Sequence, residues 1–271
     1  MPIAAPVIAI ALVMWVATRR RTDTHAALAV TLLLSGSTLA VLLQYPALAL
    51  GRPMVDDALL RADAWLGVSA PALTIWTAAH AALVRCLRAA YDTFGLQLFV
   101  AIAIVAARRD RAALWEFVTE YHLCLGIAIA ACATWPATEP WAYRHLADLA
   151  DQSGAVAQIA GFHARTLLTI DVNQPAGLVA MPSFHVAGAW MSAWAVRRSR
   201  PALWTFLGLN TVLTAATVLL GVHYAVDVLA GAALFVACAG LYHAAANADA
   251  RILNVMALRL RTPRPSSAPF A

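Results

Sequence analysis

The chain has 271 residues, of which 62% are hydrophobic and only 12% charged, and its mean hydropathy is +0.72. A water-soluble globule of that balance would lack the polar surface to cover itself, so the solvent for most of this chain is lipid. The formal charge is +5 and all nineteen basic residues are arginine, which keeps its proton in any setting and favours anionic partners. The arginines stand in short clusters between apolar runs, where they meet lipid head groups or fix topology, and this argues against nucleic acid. Cys86, Cys124, Cys132 and Cys238 have neither metal-ligand nor disulfide-framework spacing and read as small apolar fillers.

A bilayer-spanning helix needs about 20 mostly apolar residues. In chain order, that length picks out 3–17, 26–50, 89–107, 114–135, 183–196, 202–220 and 224–245. The first run is followed, not preceded, by its arginines, which fits a retained span entering from outside better than a signal peptide. Positive charge collects in cytoplasmic loops. With the N-terminus outside, the clusters Arg19–Arg21, Arg108–Arg111, Arg197–Arg200 and Arg251–Arg264 all fall inside, and only Arg52, Arg61, Arg85, Arg88, Arg144 and Arg165 fall outside. The run 70–84 is short, carries His80 and would invert every later cluster as a span, so it is expected to be interfacial or re-entrant. Asp56, Asp57, Arg61 and Asp63 are expected in a polar loop before it.

The expected fold is therefore all-α: a polytopic membrane helical bundle of six to seven transmembrane helices, N-terminus outside and C-terminus cytoplasmic. Residues 1–50 would form an N-terminal transmembrane pair and 51–245 the catalytic bundle. Residues 246–271, polar and proline-rich towards their end, would form a disordered cytoplasmic tail.

Ionisable groups at membrane depth are costly, so each needs a partner or a function. His223 and Asp227, four apart at the start of the last span, share one helical face. The pair reads either as a helix-stabilising ion pair or as an activated histidine, with the carboxylate on Nδ1 and Nε2 left free as nucleophile or base. The segment Met181-Pro-Ser-Phe-His185 opens another span. Pro182 suits a first helical turn, and the amides of Ser183, Phe184 and His185 would be free to meet a phosphate. The topology brings His185 and His223 to one face, the non-cytoplasmic one. A phosphate between them could be attacked by His223 while His185 protonates the leaving oxygen, with no metal or other cofactor needed.

Pro-Ser-x-His followed 38 residues later by His-x-x-x-Asp-x-x-x-Gly resembles two signature motifs of the type-2 phosphatidic acid phosphatase superfamily. The resemblance is close over residues 177–231. It implies a phosphohistidine enzyme with His223 as nucleophile, Asp227 supporting it and His185 as general acid. Phe184, where the common phosphatases carry glycine, makes the segment more similar to the inositol-phosphorylceramide synthase branch and its bacterial relatives. Thr217 stands where phosphatases have an arginine, and no Lys-x6-Arg-Pro motif occurs.

Arg165 and then Arg88 are the arginines expected to meet phosphate, with Ser183, Phe184, Tyr91 and Asp92 as further substrate contacts; Asp92 pairing with Arg88 at i,i+4 is the alternative. The expected partners are a lipid phosphate or phospholipid donor, and water or an alcohol as acceptor. Transfer of a phospho-head group, hydrolysis to free phosphate, and a proton-coupled transporter built on the same three groups are the functions the sequence allows.

Overall fold

The computed structural model describes residues 24–170 and 176–261. Its regular elements there are all helices. In chain order they are α1 (Thr24–Ala49), α2 (Asp56–Trp65), α3 (Ala70–Ala78), α4 (Ala81–Asp92), α5 (Phe94–Ala107), α6 (Arg111–Thr134), α7 (Pro140–Tyr143), α8 (Ser153–His163), α9 (Phe184–Ala195), α10 (Arg200–Leu219) and α11 (Ala225–Arg261). The span expected at 3–17 lies outside the described residues.

Among the described residues, four helices are long and apolar enough to cross a membrane: α1, α6, α10 and the Ala225–Asp249 part of α11. The bent pair α3–α4 makes a fifth if it counts as one span. Their outward leucines and valines, such as Leu39, Leu43, Leu229 and Val236, are exposed, as lipid-facing side chains are.

Several expectations change. The run 89–107 is not one helix: α4 ends at Asp92 and α5 starts at Phe94, with the Thr93 hydroxyl turned back onto the Ala90 carbonyl at 2.6 Å. The segment 51–88 is largely helical; at 70–84 the re-entrant expectation still stands beside a broken span, since α3 meets α4 at a bend of 118°. Asp56 and Asp63, expected in a solvated polar loop, lie on α2 and are each 1% exposed. Seven residues apart, they sit two turns along the same helical face. The tail is also helical through Arg261, because Ala246, Ala248, Leu253, Met256 and Leu258 favour helix and the first proline comes only at 263.

The expected span 183–196 is the 12-residue α9, about 18 Å long at ~1.5 Å per residue, short of the ~30 Å hydrocarbon core. It is enclosed by α5, α6, α10 and α11. Ala187, Gly188, Ala189, Ser192 and Ala193 let these neighbours approach closely, and a methyl on Gly188 would lie 2.7 Å from the Phe94 ring. Arg198 pairs with Asp110, so the clusters 108–111 and 197–200 share one end of the bundle, and the helix starts at Phe184 and Ala225 lie at the other.

Candidate active site

Two turns build the site. After α10, Gly221 takes a left-handed φ of +78° that suits glycine, and its N–H and that of Val222 bond the Val218 and Thr217 carbonyls. This is a Schellman termination. The His223 N–H shares the Thr217 carbonyl at 2.9 Å, which folds the histidine back over the helix end. Tyr224 then caps α11, and the Asp227 Oδ2 accepts the Tyr224 N–H at 3.0 Å, the reciprocal half of a capping box.

The second turn opens α9. Pro182, expected in the first helical turn, precedes the N-cap Ser183 instead, and the Met181–Pro182 peptide is cis. The Ser183 Oγ caps the Val186 N–H at 3.4 Å. Its own N–H is not free for phosphate: it donates to the Asp227 carbonyl at 3.1 Å. The Ser183 carbonyl oxygen abuts Gly231, where a Cβ could not fit. Serine of one motif is thus stitched to aspartate and glycine of the other, and the amides of Phe184 and His185 remain outside the helical ladder.

This stitch sets the histidine rings 6.1 Å apart, centroid to centroid. The His223 Nδ1 faces the Asp227 Oδ2 at 3.6 Å, and among the described residues both His223 Nδ1 and Asp227 Oδ1 lack a hydrogen-bond partner. Catalytic contacts are often this long in an empty site and tighten around substrate. Burial lowers the His223 pKa to about 4, against the effect of a hydrogen bond with the Ala180 backbone, so the ring is neutral. The His185 ring stacks on Tyr91 at 4.6 Å and tilts against Phe94 at 4.5 Å. Phe184 sits edge-on to Phe94 and Tyr121.

Behind the pair stand acids that hydropathy alone does not single out. Asp63 accepts the Ala225 and Val226 amides at 3.0 and 2.8 Å, holding the first turn of α11. Asp56 accepts the Tyr224 hydroxyl at 2.9 Å and the Thr138 amide and hydroxyl. Glu139 accepts the Trp141 indole N–H, and burial pushes its pKa up to about 8, with the Trp141 bond opposing and the Asp148 charge adding. The seven-residue spacing of Asp56 and Asp63 was the available signal.

Of the expected phosphate ligands, Ser183, Phe184 and Tyr91 are at the site. The others are engaged elsewhere. The Arg165 Nε donates to the Ala49 carbonyl at the end of α1. Arg88 pairs with Asp151 at 3.2 Å and with Asp92 at 3.9 Å, the i,i+4 alternative. Thr217 is fully buried, its hydroxyl on the Thr214 carbonyl. The arrangement offers a neutral nucleophile, a carboxylate to stabilise it once charged, and a second imidazole to carry a proton.

A family model described as PAP2 superfamily matches residues 57–241, which include both histidines, Asp227, Asp63 and Gly231. Comparison with curated proteins and with solved structures found no match.

Proposed function

This chain belongs to the PAP2 superfamily, and from that premise we propose that it is a membrane enzyme that takes a phospho-head group from a lipid onto His223 and hands it to an alcohol. Membership supports a phosphatase-type enzyme of lipid phosphates. The observation that carries the reading is the His223–His185 pair, rings 6.1 Å apart with Asp227 behind His223.

The unprotonated ring nitrogen of His223 attacks phosphorus, and the bond from phosphorus to the leaving oxygen breaks as His185, having taken up a proton with the incoming anionic phosphoester, gives it to that oxygen. Asp227 stabilises the positive charge that the imidazole acquires. The amides of Phe184 and His185 meet the phosphoryl oxygens at the N-terminus of α9. In the second half, His185 removes the acceptor's proton, the acceptor oxygen attacks phosphorus, and the bond to His223 breaks.

An alcohol is favoured over water because His223 is only 2% exposed and the His185 ring is covered by Tyr91 and Phe94. A lipid alcohol enters such a site more readily than bulk water. On this reading the site faces the non-cytoplasmic side, opposite the arginine clusters.

The test is to incubate purified protein with head-group-labelled phosphatidic acid, polyprenyl diphosphate and phosphatidylinositol, quench in alkali and locate the label. Label on His223, absent from His223→Ala, together with a labelled lipid alcohol as product supports transfer. Free phosphate as the sole product would make the enzyme a hydrolase. Absence of any phosphoprotein or turned-over ester, with substrate flux across liposomes lost in His223→Ala, would instead favour the transporter.

A further inference from the structure

The far end of α11 carries a second group of chemistry-bearing side chains. Sixteen residues separate Asp227 from His243, about 24 Å along the axis at ~1.5 Å per residue, so this group has no contact with the histidine pair. Glu116 and Glu120 stand one turn apart on α6, both buried, and His243 faces them from α11 with its side chain half exposed. One ligand atom from each of the three lies within 4.8 Å of the others.

Glu116 is well provided for. Its Oε1 accepts the Trp194 indole N–H at 2.7 Å and faces the His243 Nε2 at 3.2 Å, and its Oε2 takes the Arg197 guanidinium at 2.6 Å. Glu120 is not. It is fully buried, and among the described residues neither carboxylate oxygen has a hydrogen-bond partner. A buried carboxylate with no donor is among the most costly groups a fold can hold, and stays only where something satisfies it.

We infer that Glu116, Glu120 and His243 bind one divalent transition-metal cation, tying α6 to α11 at the end of the bundle remote from the histidine pair. Two carboxylates and an imidazole are a donor set that suits zinc or manganese better than magnesium, which prefers oxygen and retains water. Donors at ~2.0–2.2 Å around a tetrahedral ion stand roughly 3.4 Å apart, so the 3.2 Å pair is in place and the wider separations close by side-chain rotation. The cation would supply Glu120 with the partner it lacks. Arg197 then acts as the outer-shell donor that orients Glu116, and leaves one carboxylate charge for the metal to neutralise. The half-exposed His243 ring gives an ion its way in, and the fourth position falls to water.

The experiment uses the full chain in detergent, free of any histidine tag, stripped with a chelator and titrated with zinc chloride alone. Bound metal is counted by mass spectrometry, affinity is taken from calorimetry, and the thermal unfolding midpoint is followed in parallel. One zinc per chain is expected, with a rise in the midpoint that magnesium does not reproduce. Glu120→Gln and His243→Ala should each weaken binding by at least about tenfold and abolish the rise, whereas His145→Ala should bind as wild type. His243→Ala removes a half-exposed ring, so its fold is safe if Glu120→Gln proves unstable. No stoichiometric zinc, or zinc retained at full affinity in His243→Ala, would overturn the inference.

Discussion

Gly231→Ala tests the stitch between the two motif segments. A methyl at this position would run into the Ser183 carbonyl oxygen and lie 3.2 Å from its carbon, and the obstacle is backbone, which cannot swing aside. Carbon and carbonyl oxygen ordinarily meet at about 3.3–3.6 Å, so α9 and α11 must part by roughly 1 Å. Overpacking of this kind costs about 1–3 kcal/mol, and alanine returns up to ~1 kcal/mol of helix propensity, so the protein should still fold. The separation strains the bond from the Ser183 N–H to the Asp227 carbonyl and carries His223 away from His185. A misplacement of about 1 Å between reacting groups is worth about a hundredfold in rate. Turnover of a lipid phosphoester in micelles should therefore fall by about that factor while the unfolding midpoint moves by a few degrees. Gly240→Ala, on the same helix with nothing within 4 Å of the added methyl, is the control and should leave the rate unchanged. Wild-type turnover in Gly231→Ala would refute the idea that this contact sets the histidine geometry.

Asp63→Asn keeps one acceptor for the two amides at the start of α11 but loses the charge; charged hydrogen bonds contribute about 1.5–3 kcal/mol each, so thermal stability and turnover should both drop, and an unchanged midpoint would speak against Asp63 as the anchor of that turn. Glu139 has its folded pKa raised from 4.5 to about 8, so the folded state holds the proton more tightly than the unfolded one. Its stability is fully present below the unfolded value and is lost as pH rises through the folded value, by on the order of 3 kcal/mol at pH 7. Glu139→Gln should flatten that slope in thermal midpoints measured across the range, and parallel curves for the two proteins would contradict the assignment. Because burial lowers the His223 pKa from 6.5 to about 4, the rate of phosphoenzyme formation should hold constant as pH falls below neutral and decline only near the lower value. A midpoint at an ordinary histidine pKa would count against a buried neutral nucleophile.

The three chemical groups were legible because their spacing encodes a helical face and an N-terminus: His223 and Asp227 at i,i+4, and Ser183 two residues before His185. Gly231 was legible only as a motif letter, since its cause is the carbonyl of a residue 48 positions earlier. Asp56 and Asp63 were missed because hydropathy ranks an acidic segment as surface, although their carboxylates are buried on the amides and hydroxyl that begin α11. The long spans α1, α6, α10 and α11 follow from apolar length alone. The break at Thr93 does not, because Ala-Tyr-Asp-Thr-Phe carries no proline or glycine at the break itself. Arg88 and Arg165 show the limit of position along the chain: both were expected at phosphate, but Arg88 pairs with Asp151 and Arg165 with the Ala49 carbonyl.

The two sides of His185 are constrained by different kinds of force. On one side the backbone of Ser183 is fastened to α11 by a directional bond and a contact that leaves no slack. On the other, Tyr91 stacks on the imidazole and Phe94 tilts against it, on either side of the interruption at Thr93. Stacked rings slide at small cost, whereas a stitched backbone moves as one body. If His223 takes up a phospho-head group as proposed, the side of His185 that yields to it is the α4–α5 corner and not the seam between α9 and α11.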